Sequence, residues 1–296
     1  MRICYYADGR TVHTKRWMEF FVKRGHEMFL LSHAPLSPEI VADFEQAGIP
    51  YLGHTGLFHV KKFWLMLRDL NKVRSVLKQN EIDILHCHFL GVNSWYAALA
   101  QFHPLVLTVM GGDILGGDWK PDRNFQEKFL TPYALRKADL ITAWSPLLKK
   151  TVKKFCPPET TVEVVHGGVH LDRFFPAEKP KHLLERLQIP AGAKVVFSAR
   201  LMRQLYNIEH IAEAANIVVE KFPDAYFVLA VPETIRDTEY ADLVRGIIAK
   251  GAARDNTRYV ETIPYEEIPD YFRLADVSVS IPTHDGTPMT VMESMA

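Results

Sequence analysis

An α/β fold of two parallel-sheet units is predicted for this chain, on three observations. Short apolar runs rich in β-branched and aromatic residues alternate with longer stretches of helical spacing. The runs are apolar nearly throughout, as parallel strands covered on both faces require. The 296 residues exceed one ordinary core, and a stretch of glycine, proline and charge interrupts the alternation past the middle.

Strands are expected at Arg2–Tyr6, Glu27–Ser32, Ile82–Cys87, Leu105–Val109, Asp139–Ala143 and Val162–Val165. Helical spacing marks Thr11–Arg24, Lys61–Lys78 and Phe125–Lys137. The stretch 167–190 carries two glycines with Pro176, Pro180 and Pro190. It reads as the join, with a first domain over 1–170, a link over 171–192 and a second domain over 193–296. Strands then resume at Lys194–Ser198, Ala225–Ala230, Thr257–Glu261 and Asp276–Ile281. Helices are expected at Ile208–Lys221, Asp237–Lys250 and Glu266–Leu274. The result is two Rossmann-like, doubly wound halves facing a cleft. The chain stops inside a helical pattern with no cap, so the second half is expected to be incomplete.

Hydrophobic residues make up 48% and charged residues 24%, which suits a globular protein. Cations and carboxylates number 35 each, so no general attraction to nucleic acid is implied. Cys4, Cys87 and Cys156 are odd in number and far apart, and are expected to be reduced thiols. Met1–Tyr6 reads as a strand rather than a leader, and no run reaches about 20 apolar residues. The expected setting is cytoplasmic.

Ligands of open α/β sheets gather at the carboxyl ends of strands, so chemistry is sought there. The first such loop, Ala7–His13, lacks the G-x-G-x-x-G spacing of dinucleotide sites. Gly9 can let backbone approach a ligand, with Arg10, His13 and Arg16 beside it; a plain strand–helix turn is the alternative. His86-Cys-His88 sends two imidazoles to one side of a strand end. A zinc pair lacks further ligands, so a histidine that hydrogen-bonds a substrate hydroxyl is the preferred reading. In Met110-Gly-Gly-Asp113, Asp113 can accept from hydroxyls or cap the next segment. Arg200 ends a strand, with Arg203 three residues on, and a guanidinium there suits a diphosphate.

The segment Asp285-Gly-Thr-Pro-Met-Thr-Val-Met-Glu293 places two carboxylates around a turn and a helix start. Free backbone N–H groups there suit a phosphate. Lys61–Arg68 mixes basic and bulky apolar residues, as does the Lys149, Lys150, Lys153, Lys154 cluster; each can be a solvated helix edge or a contact with an anionic membrane.

Five segments in order resemble the retaining glycosyltransferases of family 4, the group 1 enzymes of GT-B fold. Lys23-Arg-Gly-His-Glu-Met28 is similar to the family's "kRGHeV". Asp83-Ile-Leu-His-Cys-His88 resembles "DivHaH", and Val165–Phe174 resembles "iPNGvDleaF". Ser198-Ala-Arg-Leu201 stands at "vGRL". Ala275-Asp276 and Asp285–Glu293 are similar to "aDvfvlPS…E-G-f-P-x-x-x-x-E-A-m-A".

The resemblance implies a nucleotide-diphosphate sugar held by the second domain and an acceptor held by the first. Arg200 and Arg203 would meet the diphosphate, Glu293 the ribose and Asp285 the donor sugar. Backbone of Gly286, Thr287, Pro288, Met289 and Thr290 would touch sugar and phosphate. Asp113 and His88 would join Asp285 at the reacting centre, and Gly9, Arg10, His13 and Arg16 would lie on the acceptor side. No metal or cofactor is implied, and the leaving phosphate would help deprotonate the acceptor on the front face. The acceptor would be a glycan, a lipid-linked intermediate at the inner membrane face, or another hydroxyl. A nucleotide-sugar epimerase and a non-catalytic binding fragment are the alternatives.

Four departures from the family pattern stand out. The first acid of the Glu-x7-Glu motif is Asp285. Leu205-Tyr206-Asn207 replaces Lys-Gly. Met110 replaces a histidine, and Val231–Thr234 replaces a glycine-rich turn. The family's chains continue past this end, so low stability and weak activity are expected of the present length.

Overall fold

The computed structural model describes residues 1–56, 58, 62–115, 125–231, 238–261 and 263–296. The chain divides into two compact units, Met1–His166 and Gly167–Ala296.

The first unit runs β1 (Arg2–Tyr6), α1 (Val12–Val22), β2 (Glu27–Ser32), α2 (Pro38–Gln46), β3 (Tyr51–His54), α3 (Phe63–Gln79), β4 (Ile84–His88), α4 (Val92–Ala100), β5 (Leu105–Val109), α5 (Gly112–Leu115), α6 (Phe125–Lys137), β6 (Leu140–Ala143), α7 (Pro146–Val152) and β7 (Val162–Val164). Its strands pair in parallel in the order β3-β2-β1-β4-β5-β6-β7. Tyr5 and Tyr6 of β1, Leu30 and Leu31 of β2 and Leu107 of β5 are fully buried, as strands covered on both faces should be. Order 3-2-1-4 turns around β1 and β4, so the loops after those strands splay apart and open a crevice.

Four helices, α2, α4, the one-turn α5 and α7, and one strand, β3, appear here beyond the sequence reading. α4 is buried on nearly every side, including Asn93, Ser94, Trp95 and Tyr96, so it has no polar face to mark a 3.6-residue period. α2 does carry a legible start: Ser37 accepts from the Ile40 N–H and Pro38 takes the first turn. α7 opens the same way, with Ser145 as cap and Pro146 next. β3 holds Gly53 at φ +94° and a register shift against β2, which hides it from any strand pattern.

The second unit runs α8 (Lys181–Arg186), β8 (Lys194–Ser198), α9 (Ile208–Lys221), β9 (Ala225–Ala230), α10 (Thr238–Ala249), β10 (Thr257–Val260), α11 (Ile268–Leu274), β11 (Val277–Ser278) and α12 (Met289–Met295). The sheet is parallel in the order β10-β9-β8-β11. The expected strand Asp276–Ile281 is only two residues long, with Val277 exposed.

The stretch read as a link, 171–192, holds α8. Leu183 and Leu184 from it pack with Val195, Phe197 and Tyr271 in the second unit's core. The boundary therefore falls ahead of Gly167, four residues before the expected end of the first domain. Lys61, Asp237 and the Pro232–Thr234 part of the departure at 231–234 lie outside the described residues.

Candidate functional site

In the first unit, the ends of β1, β4 and β5 enclose a pocket of about 460 Å³. Asp8, His13, His33, His88, Asn93 and Met110 are among its lining. α1 starts beside it with Thr11 as cap, and the Thr14 hydroxyl donates to Asp8 O at 2.8 Å. Phe89 sits at φ +74° on the rim. A bulky residue in that conformation is a strained one, of the kind that clusters at functional sites.

His88 ends β4, buried against the rings of Tyr5, Trp17 and Trp144. Its Nε2 has no hydrogen-bond partner among the described residues. Burial, aided by neighbouring His86 and His13, pushes its pKa well below the usual imidazole value. Burial also pushes His13 down to about 4 and lowers His33. The pocket thus presents neutral imidazoles, suited to exchanging hydrogen bonds with hydroxyls.

His86 lies beside His88, but its Nε2 is spent on Thr108 Oγ1 at 2.7 Å, and Thr108 passes the chain to Thr142. Among the described residues no group of three His, Cys, Asp or Glu side chains converges as metal ligands do.

Asp113 is buried and does not line the pocket. Its carboxylate accepts from the backbone N–H groups of Leu90 at 2.9 Å, Gly111 at 2.7 Å and Met110 at 3.3 Å. It ties the loop after β4 to the loop after β5, the local capping alternative raised from the sequence. Burial pushes its pKa up to about 6 against the pull of those N–H groups.

Gly9 also serves packing here: a Cβ on it would sit 2.6 Å from Leu36 Cδ1 and 3.0 Å from Leu30 Cδ2. Arg10 is exposed and folds back on Asp8 through two side-chain bonds of 2.8 and 2.6 Å. Arg16 lies on α1, close enough for its charge to lower the pKa of His13, but outside the pocket lining.

In the second unit, Arg200 follows β8. Its Nη2 donates to Asp285 Oδ2 at 2.7 Å and its Nε to Ser280 Oγ at 2.8 Å. The two charged side chains are 11% and 23% exposed, so the pair is largely withdrawn from solvent. The Tyr206 ring lies against the guanidinium, 5.1 Å from centroid to Cζ. Asn207, in a left-handed conformation at φ +49°, donates from Nδ2 to Ile281 O at 2.7 Å. Thr283 N donates to Leu205 O at 2.9 Å. Leu205-Tyr206-Asn207 therefore staples the loop after β8 to the loop after β11 and backs Arg200. Arg203 is exposed ahead of the 3-10 turn Gln204–Tyr206.

Gly286, Thr287 and Pro288 lead into α12, where Met289 and Glu293 are buried. The Thr290 hydroxyl is buried without a partner among the described residues. The structure thus brings Arg200 and Asp285 together and sets Glu293 about one turn along α12.

The residues missed from sequence are of two kinds. His33 directly follows β2, where the strand-end rule would have found it. Asn93 and Ser280 had no motif to mark them.

Two α/β units, each built on an all-parallel sheet, have the architecture of the GT-B fold. The model of Glycosyltransferase Family 4 matches residues 7–173, and that of Glycosyl transferases group 1 matches 181–296. The chain belongs to this glycosyltransferase family.

TuaC of Bacillus subtilis, whose name assigns it to teichuronic acid biosynthesis as a glycosyltransferase, is 26% identical over 237 residues, 77% of this chain and 55% of that protein. D-inositol 3-phosphate glycosyltransferase of Thermobispora bispora is 25% identical over 246 residues, 78% of this chain and 56% of that protein. The chain spans about half the length of the curated relatives it matches.

Among solved structures, sucrose-phosphate synthase from Thermosynechococcus elongatus superposes with TM-score 0.76 at 14% identity, over 100% of this chain and 79% of that one. Anabaena HepE in complex with UDP-glucose gives 0.75 at 16%, over 100% and 78%. At such identities the likeness establishes the fold. The epimerase alternative finds no support among these relatives.

Proposed function

We propose that the protein acts in the transfer of a hexose-type sugar from a nucleotide-diphosphate donor to a hydroxyl of a glycan or lipid-linked acceptor, with retention at the anomeric carbon. The observation that carries this reading is the Arg200–Asp285 pair held at the head of the segment that leads to Glu293. A partly desolvated guanidinium is suited to the charge that develops on a leaving diphosphate. Arg203, exposed three residues on, is the cation available to take the place of the family's lysine.

On this reading Asp285 and backbone around Gly286–Thr290 contact the donor sugar, and Glu293 accepts from the ribose. Nucleotide-sugar use is supported by family membership and by the UDP-glucose complex of HepE. The first unit's pocket takes the acceptor, whose hydroxyl meets the neutral His88. The leaving phosphate oxygen receives the acceptor proton as the new glycosidic bond forms on the face the nucleotide leaves, so no second carboxylate at glycosidase spacing is needed.

The test is calorimetric titration of the full-length protein with UDP and GDP, followed by a nucleotide-sugar screen for thermal stabilisation. The expected result is saturable binding of one nucleotide and stabilisation by its sugar conjugates. Failure of every nucleotide at millimolar concentration would overturn the reading.

A further inference from the structure

Helix α3 has an outer face that its own fold does not use. Its inner face is complete: Asp69, Leu70, Val73 and Leu77 are buried. Yet Phe63 is 58% exposed, Trp64 67% and Leu67 39%, all in the first two turns. Leu67 is four residues from Phe63 and three from Trp64, so it neighbours both and joins them into one patch. Large apolar side chains grouped on a surface mark a contact, whereas single ones need no explanation.

The charge around that patch is one-sided. Between residues 62 and 79 lie Lys62, Arg68, Lys72, Arg74 and Lys78, against Asp69 alone. Lys72 donates to the carbonyl of His54 and Arg74 to those of Leu99 and Ala100, which leaves Lys62, Lys78 and the exposed Arg68 to meet an outside partner. Asp69 is only 2% exposed and is bound by Arg68 at 2.8 Å. No exposed carboxylate lies on α3 itself, in a chain whose formal charge is zero. Aromatic and leucine side chains flanked by cations match the boundary of an anionic bilayer, where rings enter the headgroup region and cations meet lipid phosphates. The other basic cluster is a poorer match. On α7 only Leu147 is a large exposed apolar residue beside Lys149 and Lys150, and Lys153 is spent on the carbonyls of Pro158 and Thr160.

Topology sets where this surface lies. In a parallel unit a connecting helix starts at the carboxyl edge of the sheet and runs back. α3 follows β3 and precedes β4, so its first turns lie at the edge where β1, β4 and β5 end. Asp8, His88 and Met110 border the pocket at that same edge.

We propose that the first two turns of α3, through Phe63, Trp64 and Leu67 with Lys62 and Arg68 beside them, dock on an anionic lipid bilayer and so present the first unit's pocket to a lipid-linked acceptor. The choice of acceptor rests on the transfer reading above; the docking surface does not.

The experiment is co-sedimentation of the full-length protein with phosphatidylcholine vesicles, with and without phosphatidylglycerol. Partition is expected to be at least about tenfold higher with the anionic lipid, and to fall about tenfold in Phe63→Ser/Trp64→Ser. A Lys149→Gln/Lys150→Gln control should stay within about twofold. Trp64→Phe keeps the apolar bulk and guards against misfolding of the double variant: it should still bind, but lose most of the tryptophan quenching by brominated lipid.

Equal binding to both vesicles, or undiminished binding by the double variant, overturns the proposal. So does a double variant that changes only the size of the protein on gel filtration, since the patch would then be a protein contact. UDP and GDP titrations of the same samples separate the two readings. Nucleotide binding without vesicle binding sinks the docking surface alone; vesicle binding without nucleotide binding sinks the transfer reading alone.

Discussion

In the first unit the pocket is lined by imidazoles that burial keeps neutral and by an Asp8 carboxylate that Arg10 binds, while the buried Asp113, outside the lining, is occupied by backbone N–H groups. In the second unit the corresponding strand ends hold a cation, Arg200, bound to a carboxylate and backed by an aromatic ring. Desolvation explains both choices. An unpaired charge buried there would be costly, so the imidazoles are neutral and Asp8 is paired with Arg10. A guanidinium that must meet a diphosphate is costly to withdraw from water alone, and its carboxylate partner offsets that cost until the ligand arrives. The two units therefore differ in what a substitution should break.

The largest effect is expected on the charged side. Arg200→Gln removes the guanidinium and leaves Asp285 without its cation. Turnover should fall about 10²–10³-fold, the cost of losing one preorganised charge contact to the transition state. Weakened nucleotide binding should accompany it, while acceptor KM holds. Steady-state kinetics and calorimetry would check this. An unchanged nucleotide affinity would remove Arg200 from the donor site and make the Asp285 pair purely structural.

On the neutral side, Asp113→Ala should cost stability. It orphans the N–H groups of Leu90, Met110 and Gly111, and losing such partners costs about 1–3 kcal/mol per buried group, less whatever water recovers. A net loss of about 3 kcal/mol in urea unfolding is expected, with Asp113→Asn losing less because its carbonyl still accepts. Equal losses in both would mean that charge, and not the N–H contacts, is what the site needs.

How far these sites could be read in advance depended on local signal. β1, β2, β5, β8, β9 and α9 match the expected spans, because each is a mostly apolar run or a clear helical stripe; α6 matches as well, without such a stripe and with Pro132 inside it. α4 was illegible because burial on all sides erases the period, and β3 because Gly53 breaks it. Arg200, Asp285 and Glu293 were legible as a motif in order. For Gly9 and Asp113 the sequence leaves a local and a ligand-contact reading side by side, since a glycine beside Leu36 and an aspartate beside three N–H groups look the same in sequence as ligand contacts. Met110 and Leu205–Asn207 stood out as departures, yet only the packing of Tyr206 on Arg200 and of Asn207 on Ile281 shows what the second of them does.

A pH titration sharpens the contrast between neutral and charged sites. His13 at about 4 and His86 at about 3 sit below the unfolded imidazole value of about 6.5. Between those limits the unfolded chain binds protons that the folded chain refuses. Stability is therefore whole above pH 6.5 and is lost as pH falls, by up to about 1.4 kcal/mol per pH unit for each such histidine. Asp113 opposes this: its folded pKa of about 6 lies above the unfolded value, so it favours the folded state as pH falls toward 4. Several histidines against one aspartate leave a net loss on acidification. Urea midpoints at pH 7, 6 and 5 should fall in that order, and His86→Gln should flatten the slope. A flat profile would mean that the imidazoles titrate in the folded state and carry charge after all.

The smallest effect separates packing from ligand contact at Gly9. An added Cβ must displace Leu36 Cδ1, the free end of a half-buried side chain, while Leu30 behind it is fully buried. Leu36 can yield and Leu30 cannot, so Gly9→Ala should cost about 1 kcal/mol, the low end of overpacking. Nucleotide affinity and acceptor KM should stay within about twofold of the parent. Were Gly9 instead needed for close approach of backbone to a ligand, the methyl group would weaken binding and leave the melting temperature alone. Thermal unfolding and acceptor kinetics on this one variant therefore decide whether the first loop belongs with the neutral pocket or only supports it.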